Sequence, residues 1–154
     1  MDSTLTIPEN FALHVHQEIE IQAPTAIVFQ TILDQAGIWD DMAQFTPNGK
    51  SQNMKLEAWP GGRLFRDLGD NAGHLWGHVQ VIKPPTLLEI CGPMMMSYPA
   101  INHLTYRLKE KSGVTTLALT HRAFGELDPQ HREGVNKGWN HILEIIKKRA
   151  EQKK

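Results

Sequence analysis

Between Met54 and Ala123 five clusters of turn residues cut the chain into short alternating segments, and one long uninterrupted amphipathic stretch then closes it. That succession constrains the fold more than any other feature. The breaks are Pro60-Gly61-Gly62, Gly69-Asp70-Asn71, Lys83-Pro84-Pro85, Gly92-Pro93 and Ser112-Gly113. They predict strands over 54–59, 63–68, 73–82, 87–92, 101–108 and 115–123. Asp128-Pro129 then predicts a helix start, with Asp as N-cap and Pro in the first turn, and the helix runs over 129–151. Val135, Trp139, Ile142, Leu143, Ile146 and Ala150 form its apolar stripe, opposite Glu133, Lys137, Asn140, Glu144 and Lys148.

Upstream, residues 12–22 set His14, His16, Glu18 and Glu20 against Leu13, Val15, Ile19 and Ile21, imperfectly at Gln17, which predicts a half-buried strand. Pro24 opens a helix carrying Val28, Phe29, Ile32 and Leu33. Gly37 breaks it, and Ile38 to Phe45, with Trp39, predicts a second short helix. A strand, two helices, six strands and a long helix make an α+β domain in which the last helix buries its stripe against the sheet.

With 154 residues and no internal repeat or linker, the sequence predicts one domain over 1–154, with 1–10 as a loose N-terminal segment. A net charge of −1 and a pI near 6.7 give no field for nucleic acid or an anionic membrane. Met1 to Asn10 is polar where a signal peptide would be basic and then apolar, and no stretch approaches the ~20 apolar residues of a membrane span. A lone cysteine, Cys91, fits a reducing compartment. The expectation is a cytoplasmic protein with no membrane insertion and no nucleic-acid partner.

If each turn joins antiparallel neighbours, the apolar parity fixes the faces. Val81 is then expected opposite Leu88, Val79 opposite Ile90 and Gly77 opposite Gly92, with Gln80, Glu89, His78 and Cys91 on the other face. Leu108 falls opposite Thr115, Tyr106 opposite Leu117, Leu104 opposite Leu119 and Asn102 opposite His121. Ala58 faces Leu64, and Leu56 faces Arg66, which points inward between Leu56 and Leu75. On the outer face Trp59, Phe65 and Trp76 cluster beside Glu57, a surface for homodimer formation or for cover by another segment.

Gly77 and Gly92 remove volume from the sheet, and Gly134 and Gly138 remove it from the helix shoulder. Asn102, His121, His131 and Tyr98 bring polar atoms to the same end, where Met94-Met95-Met96 forms an adaptable apolar loop. This describes a ligand cavity with few polar contacts, whose expected binding residues are Asn102, His121, Tyr98, Tyr106, Gly77, Gly92, Arg66, His131 and Trp139. His121 reads also as a buried imidazole satisfied by Asn102 or the backbone, and Arg66 as either a carboxylate anchor or a rim arginine. No residue is assigned a catalytic role. Eight histidines invite a metal, but His14 and His16 lie about 6–7 Å apart without a third ligand. His74 and His78 lie about 13 Å apart, so neither a metal nor another cofactor is expected.

The ordered set Ala23-Pro24, Val28-Phe29, Trp39, Pro60-Gly61-Gly62-Arg63, Gly77-His78-Val79, Lys83-Pro84-Pro85-Thr86-Leu87, Leu117-Ala118-Leu119-Thr120-His121 and Gly138-Trp139 with Leu143 spans nearly the whole chain. It resembles the SRPBCC or START-like superfamily and, within it, homologues of the activator of the 90-kilodalton heat-shock protein ATPase. The resemblance implies a helix-grip fold, a seven-stranded curved antiparallel sheet wrapped around the C-terminal helix with two short helices after the first strand. It implies binding of a small hydrophobic molecule that is lipid-, polyketide- or aromatic-like. The alternatives are an aromatase- or cyclase-like enzyme using the same pocket, and a co-chaperone-like module acting on a chaperone.

Overall fold

The chain runs β1 (Ala12–Ile21), α1 (Thr25–Leu33), α2 (Gln35–Met42), a 3-10 turn (Ala43–Phe45), β2 (Met54–Leu56), β3 (Arg63–Gly69), β4 (Ala72–Lys83), β5 (Leu87–Gly92), β6 (Ala100–Lys111), β7 (Val114–Gly125) and α3 (Pro129–Lys153). These elements come from a computed structural model that describes residues 12–45, 51–96, 99–127 and 129–153. The strands form one antiparallel sheet in the order β1-β7-β6-β5-β4-β3-β2, the expected α+β helix-grip arrangement. The chain returns from β2 to β7 by successive hairpins, and β1 closes against β7. The α3 stripe Val135, Trp139, Ile142, Leu143, Ile146 and Ala150 is buried in the same core as Val79, Leu88, Ile90, Leu104, Tyr106, Leu117 and Leu119. Gln17, the misfit in the β1 alternation, reaches α3 and donates to the backbone and side-chain oxygens of Asn136 at 2.9 Å each.

Where the observed registers depart from the expected ones, the size of the shift decides the consequence. β6 and β7 meet through a tight Ser112-Gly113 turn with both residues at positive φ, 52° and 79°. This places Leu108 opposite Leu117, Tyr106 opposite Leu119 and Leu104 opposite His121, two residues from the expected pairs. A two-residue slip keeps every side chain on its face. Likewise Leu56 opposes Leu64 and Met54 opposes Arg66. Asn102 now opposes Ala123 and sits diagonally from His121 on the inner face.

Single-residue bulges change faces, and two of them correct the expectations. One lies between Val79 and Val81: Val79 still faces Ile90, but Ile82 opposes Leu88 while Val81 moves opposite Glu89. The other lies where Leu64 opposes Gly77 but Phe65 opposes Leu75, so Trp76 is the extra residue. Trp76 therefore turns inward and is buried, and Leu75 turns outward and is 40% exposed. The expected outer cluster of Trp59, Phe65 and Trp76 loses Trp76; Arg66 loses Leu75 as an inward neighbour and lies opposite His74 instead.

The boundary between the first two helices falls at Asp34 rather than Gly37. The Asp34 carboxylate accepts the Gly37 amide at 3.0 Å, which caps α2 three residues earlier than expected. Gly37 then sits inside α2, where a Cβ would run into the Arg149 guanidinium. Arg149 bonds Asp34 and Asp41, each at 2.9 Å, and ties both ends of α2 to α3. Among the described residues no helix is long and apolar enough to cross a membrane.

Candidate ligand-binding pocket

A pocket of about 240 Å³ opens between α2, α3 and the loop after β5, lined by Trp39, Met42, Met95, Gly134, Val135, Gly138, Trp139 and Ile142. Every lining residue is apolar or glycine. Its room comes from α3: a Cβ at Gly134 would meet nothing within 4 Å, and one at Gly138 would touch only Met42 Cε, at 4.0 Å.

The three methionines divide between core and pocket. Met94 takes a left-handed φ of 55° and its amide bonds Trp76 O at 2.6 Å. That turn buries Met94 and Met96 in the core and leaves half-buried Met95 on the pocket wall.

Both tryptophans of the wall are held from behind by buried polar chains. Trp139 Nε1 donates to His121 Nδ1 at 2.8 Å, which leaves the His121 proton on Nε2, 2.6 Å from Asn102 Oδ1. Asn102 Nδ2 passes the chain on to Pro93 O at 3.1 Å. His121 and Asn102 are fully buried, and the imidazole meets Trp139 edge-on at 5.5 Å. Trp39 Nε1 donates to Gln35 Oε1 at 3.0 Å, and Gln35 also meets the Tyr106 hydroxyl and donates to Ile32 O at 2.7 Å. Burial pushes the Tyr106 phenol above its ordinary range, so it stays a neutral hydrogen-bonding group. With their N–H groups consumed, the two indoles offer the pocket carbon surfaces.

The expected site residues are therefore distributed unevenly. Asn102, His121 and Trp139 come together, but only Trp139 lines the pocket, and Tyr106 stands behind it in the sheet. Gly77 and Gly92 do not thin the lining as expected. A Cβ on Gly77 would lie 2.6 Å from Cys91 O, and one on Gly92 would meet Gly77 Cα and lie 2.5 Å from Trp76 O. Their missing side chains make room for backbone at the Trp76 bulge. Arg66 lies away from the pocket, and its buried Nε makes no hydrogen bond. His131 falls in the first turn of α3 with its side chain outside the described set, and Tyr98 lies outside the described residues. Trp39 and Met42 are the lining residues that sequence reasoning missed. One face of Trp39 packs edge-on against Trp76, with ring centroids 4.8 Å apart. Among the described residues, no group of three or more His, Cys, Asp or Glu is gathered closely enough to hold a metal ion.

A seven-stranded antiparallel sheet packed on a long C-terminal helix, with an apolar pocket beside that helix, defines the helix-grip class of domain. The chain belongs to the activator of Hsp90 ATPase homolog 1-like protein family, whose sequence profile matches residues 22–151. No curated protein matches it. Among solved structures it is similar to CalU16 from Micromonospora echinospora, with 23% identity over 93% of this chain and 77% of that one, and a TM-score of 0.61. It is also similar to protein CV1439 from Chromobacterium violaceum, with 17% identity over 90% and 96% of the two chains and a TM-score of 0.66. The di-domain ARO/CYC BexL from the BE-7585A biosynthetic pathway shares 18% identity over 94% of this chain and 50% of its own, with a TM-score of 0.59.

Proposed function

We propose that this protein binds one small apolar molecule in the pocket between Trp39 and Trp139. The carrying observation is that both indole N–H groups are already bonded inside the protein, so the pocket presents apolar walls to its occupant. Benzene fits a cavity of about 150 Å³, so a pocket of about 240 Å³ has room for one or two fused rings. The ring-bearing, polyketide-like occupant that the family resemblance implies accords with the fold's likeness to the di-domain ARO/CYC BexL from the BE-7585A biosynthetic pathway. Asn102, His121 and Tyr106 act by holding the walls, and Trp139 makes the contact. The aromatase-like reading gains no support from His121, whose two ring nitrogens already face Trp139 and Asn102. This reading takes the chain as one domain and, from its lone cysteine, Cys91, assigns it to a reducing cytoplasm.

Native mass spectrometry and quenching of tryptophan fluorescence by naphthalene-sized probes test this reading. Wild-type protein should take up one probe, and Gly138→Leu, which projects a side chain into open space, should abolish uptake while the fold persists. Unchanged uptake by Gly138→Leu would place the ligand elsewhere. Self-association, if the outer aromatic face serves it, now rests on Trp59, 57% exposed, with Phe65 and Leu75. Sedimentation should then show a dimer that Trp59→Glu dissociates.

A further inference from the structure

A groove larger than the pocket between the tryptophans lies elsewhere on the molecule. It runs around the end of the sheet where β1 begins, β6 begins and β7 ends, and it reaches the first turns of α3. Its volume is about 720 Å³, and its polar lining consists of His14, His103, Arg122 and Arg132. Among the described residues no carboxylate lines it. Across the strands, Glu89 stands 3.5 Å from His103 Nε2.

The arrangement follows from register. His14 pairs with Arg122, and Arg122 with His103, so three basic or titratable side chains form one row across β1, β7 and β6. The next row toward the sheet end pairs Ala12 with Phe124 and Phe124 with Ile101. Ile101 is 72% exposed and Phe124 50%, so a strip of apolar surface lies directly beside the basic row. β1 sharpens the polarity: its outward positions read His14 and His16 at this end but Glu18 and Glu20 at the other. A chain of net charge −1 thus sets two arginines and two histidines beside an exposed, sheet-paired Ile101 and Phe124.

We infer that this groove is a docking surface for an acidic, apolar-containing peptide segment of a partner protein. Carboxylates would meet Arg122, while alternate large side chains would cover Phe124 and Ile101. Charge complementarity selects this occupant: apolar contact alone would leave the basic row unused, and a phosphate-bearing ligand would leave the exposed pair uncovered.

The test uses the full chain and a fluorescein-labelled, acetylated nonapeptide in which glutamates alternate with leucine and phenylalanine. Fluorescence anisotropy should show saturable binding that weakens with salt. Arg122→Glu should lower the affinity about tenfold, and Phe124→Ser should lower it comparably. Both positions are exposed, so thermal melts of the variants should match wild type. Amide shifts on titration should cluster at residues 12–14, 101–103 and 122–124. The inference is overturned by an absence of binding, by equal binding of a peptide with lysine in place of glutamate, or by wild-type affinity in both variants. It is also overturned if the wild-type chain forms dimers that Phe124→Ser dissociates, which assigns the groove to a second copy, or if it sediments with anionic phospholipid vesicles but ignores the peptide.

Discussion

Gly77 and Gly92 on the sheet and Gly134 and Gly138 on α3 look alike in sequence, yet they are glycines for opposite reasons. At the sheet pair the missing Cβ is replaced by backbone, because the bulge at Trp76 presses β4 against β5. At the helix pair the missing Cβ leaves space, and that space is the pocket. Glycine therefore marks either crowding or vacancy, and only the third dimension distinguishes them.

The contrast can be broken most sharply at the sheet. Gly92→Ala should cost roughly 3 kcal/mol or more, the upper end of overpacking penalties, because two backbones must separate. Urea denaturation measures it, and a loss below about 1 kcal/mol would show that the strands are not closely apposed. A smaller effect is expected behind the pocket wall. Asn102→Leu strands the His121 Nε2 proton in the core and should cost about 2 kcal/mol. It should also loosen Trp139, seen as a broader indole Nε1 resonance. An unchanged resonance would mean that the polar chain does not position the wall. The smallest change should have the opposite sign. Gly134→Ala adds a methyl group where nothing lies within 4 Å and should stabilise α3 by about 0.5–1 kcal/mol, read from the melting curve. Destabilisation there would erase the distinction between the two pairs.

Parity made much of the fold legible before any coordinates. Leu104, Tyr106, Leu117 and Leu119 are inward as their alternation predicts, even though their partners differ by two residues, because an even slip preserves faces. Odd insertions are invisible to that reasoning. Gln80 and Trp76 each add one residue within an otherwise regular strand, and nothing in local composition says where alternation resets. The polar chain from Trp139 through His121 to Asn102 was half legible. The sequence brought Asn102 and His121 together, but a hydrogen bond from α3 depends on how the helix lies across the sheet. The pocket was expected at the correct end, because Gly134, Gly138 and the methionine loop are features of local sequence. Its displacement toward α2 was not, since Trp39 has one packed face and one open face.

The in-out-in path of the Met94–Met96 loop also sets how the pocket would age in an oxidising environment. Met94 and Met96 are sealed in the core, whereas Met95 and Met42 are partly exposed on the pocket wall. Thioether oxidation follows exposure and turns a soft apolar group into a polar sulfoxide. Peroxide would therefore reach Met95 and Met42 first. The pocket would acquire sulfoxide oxygens and lose its preference for apolar rings while the core beneath it remained chemically intact.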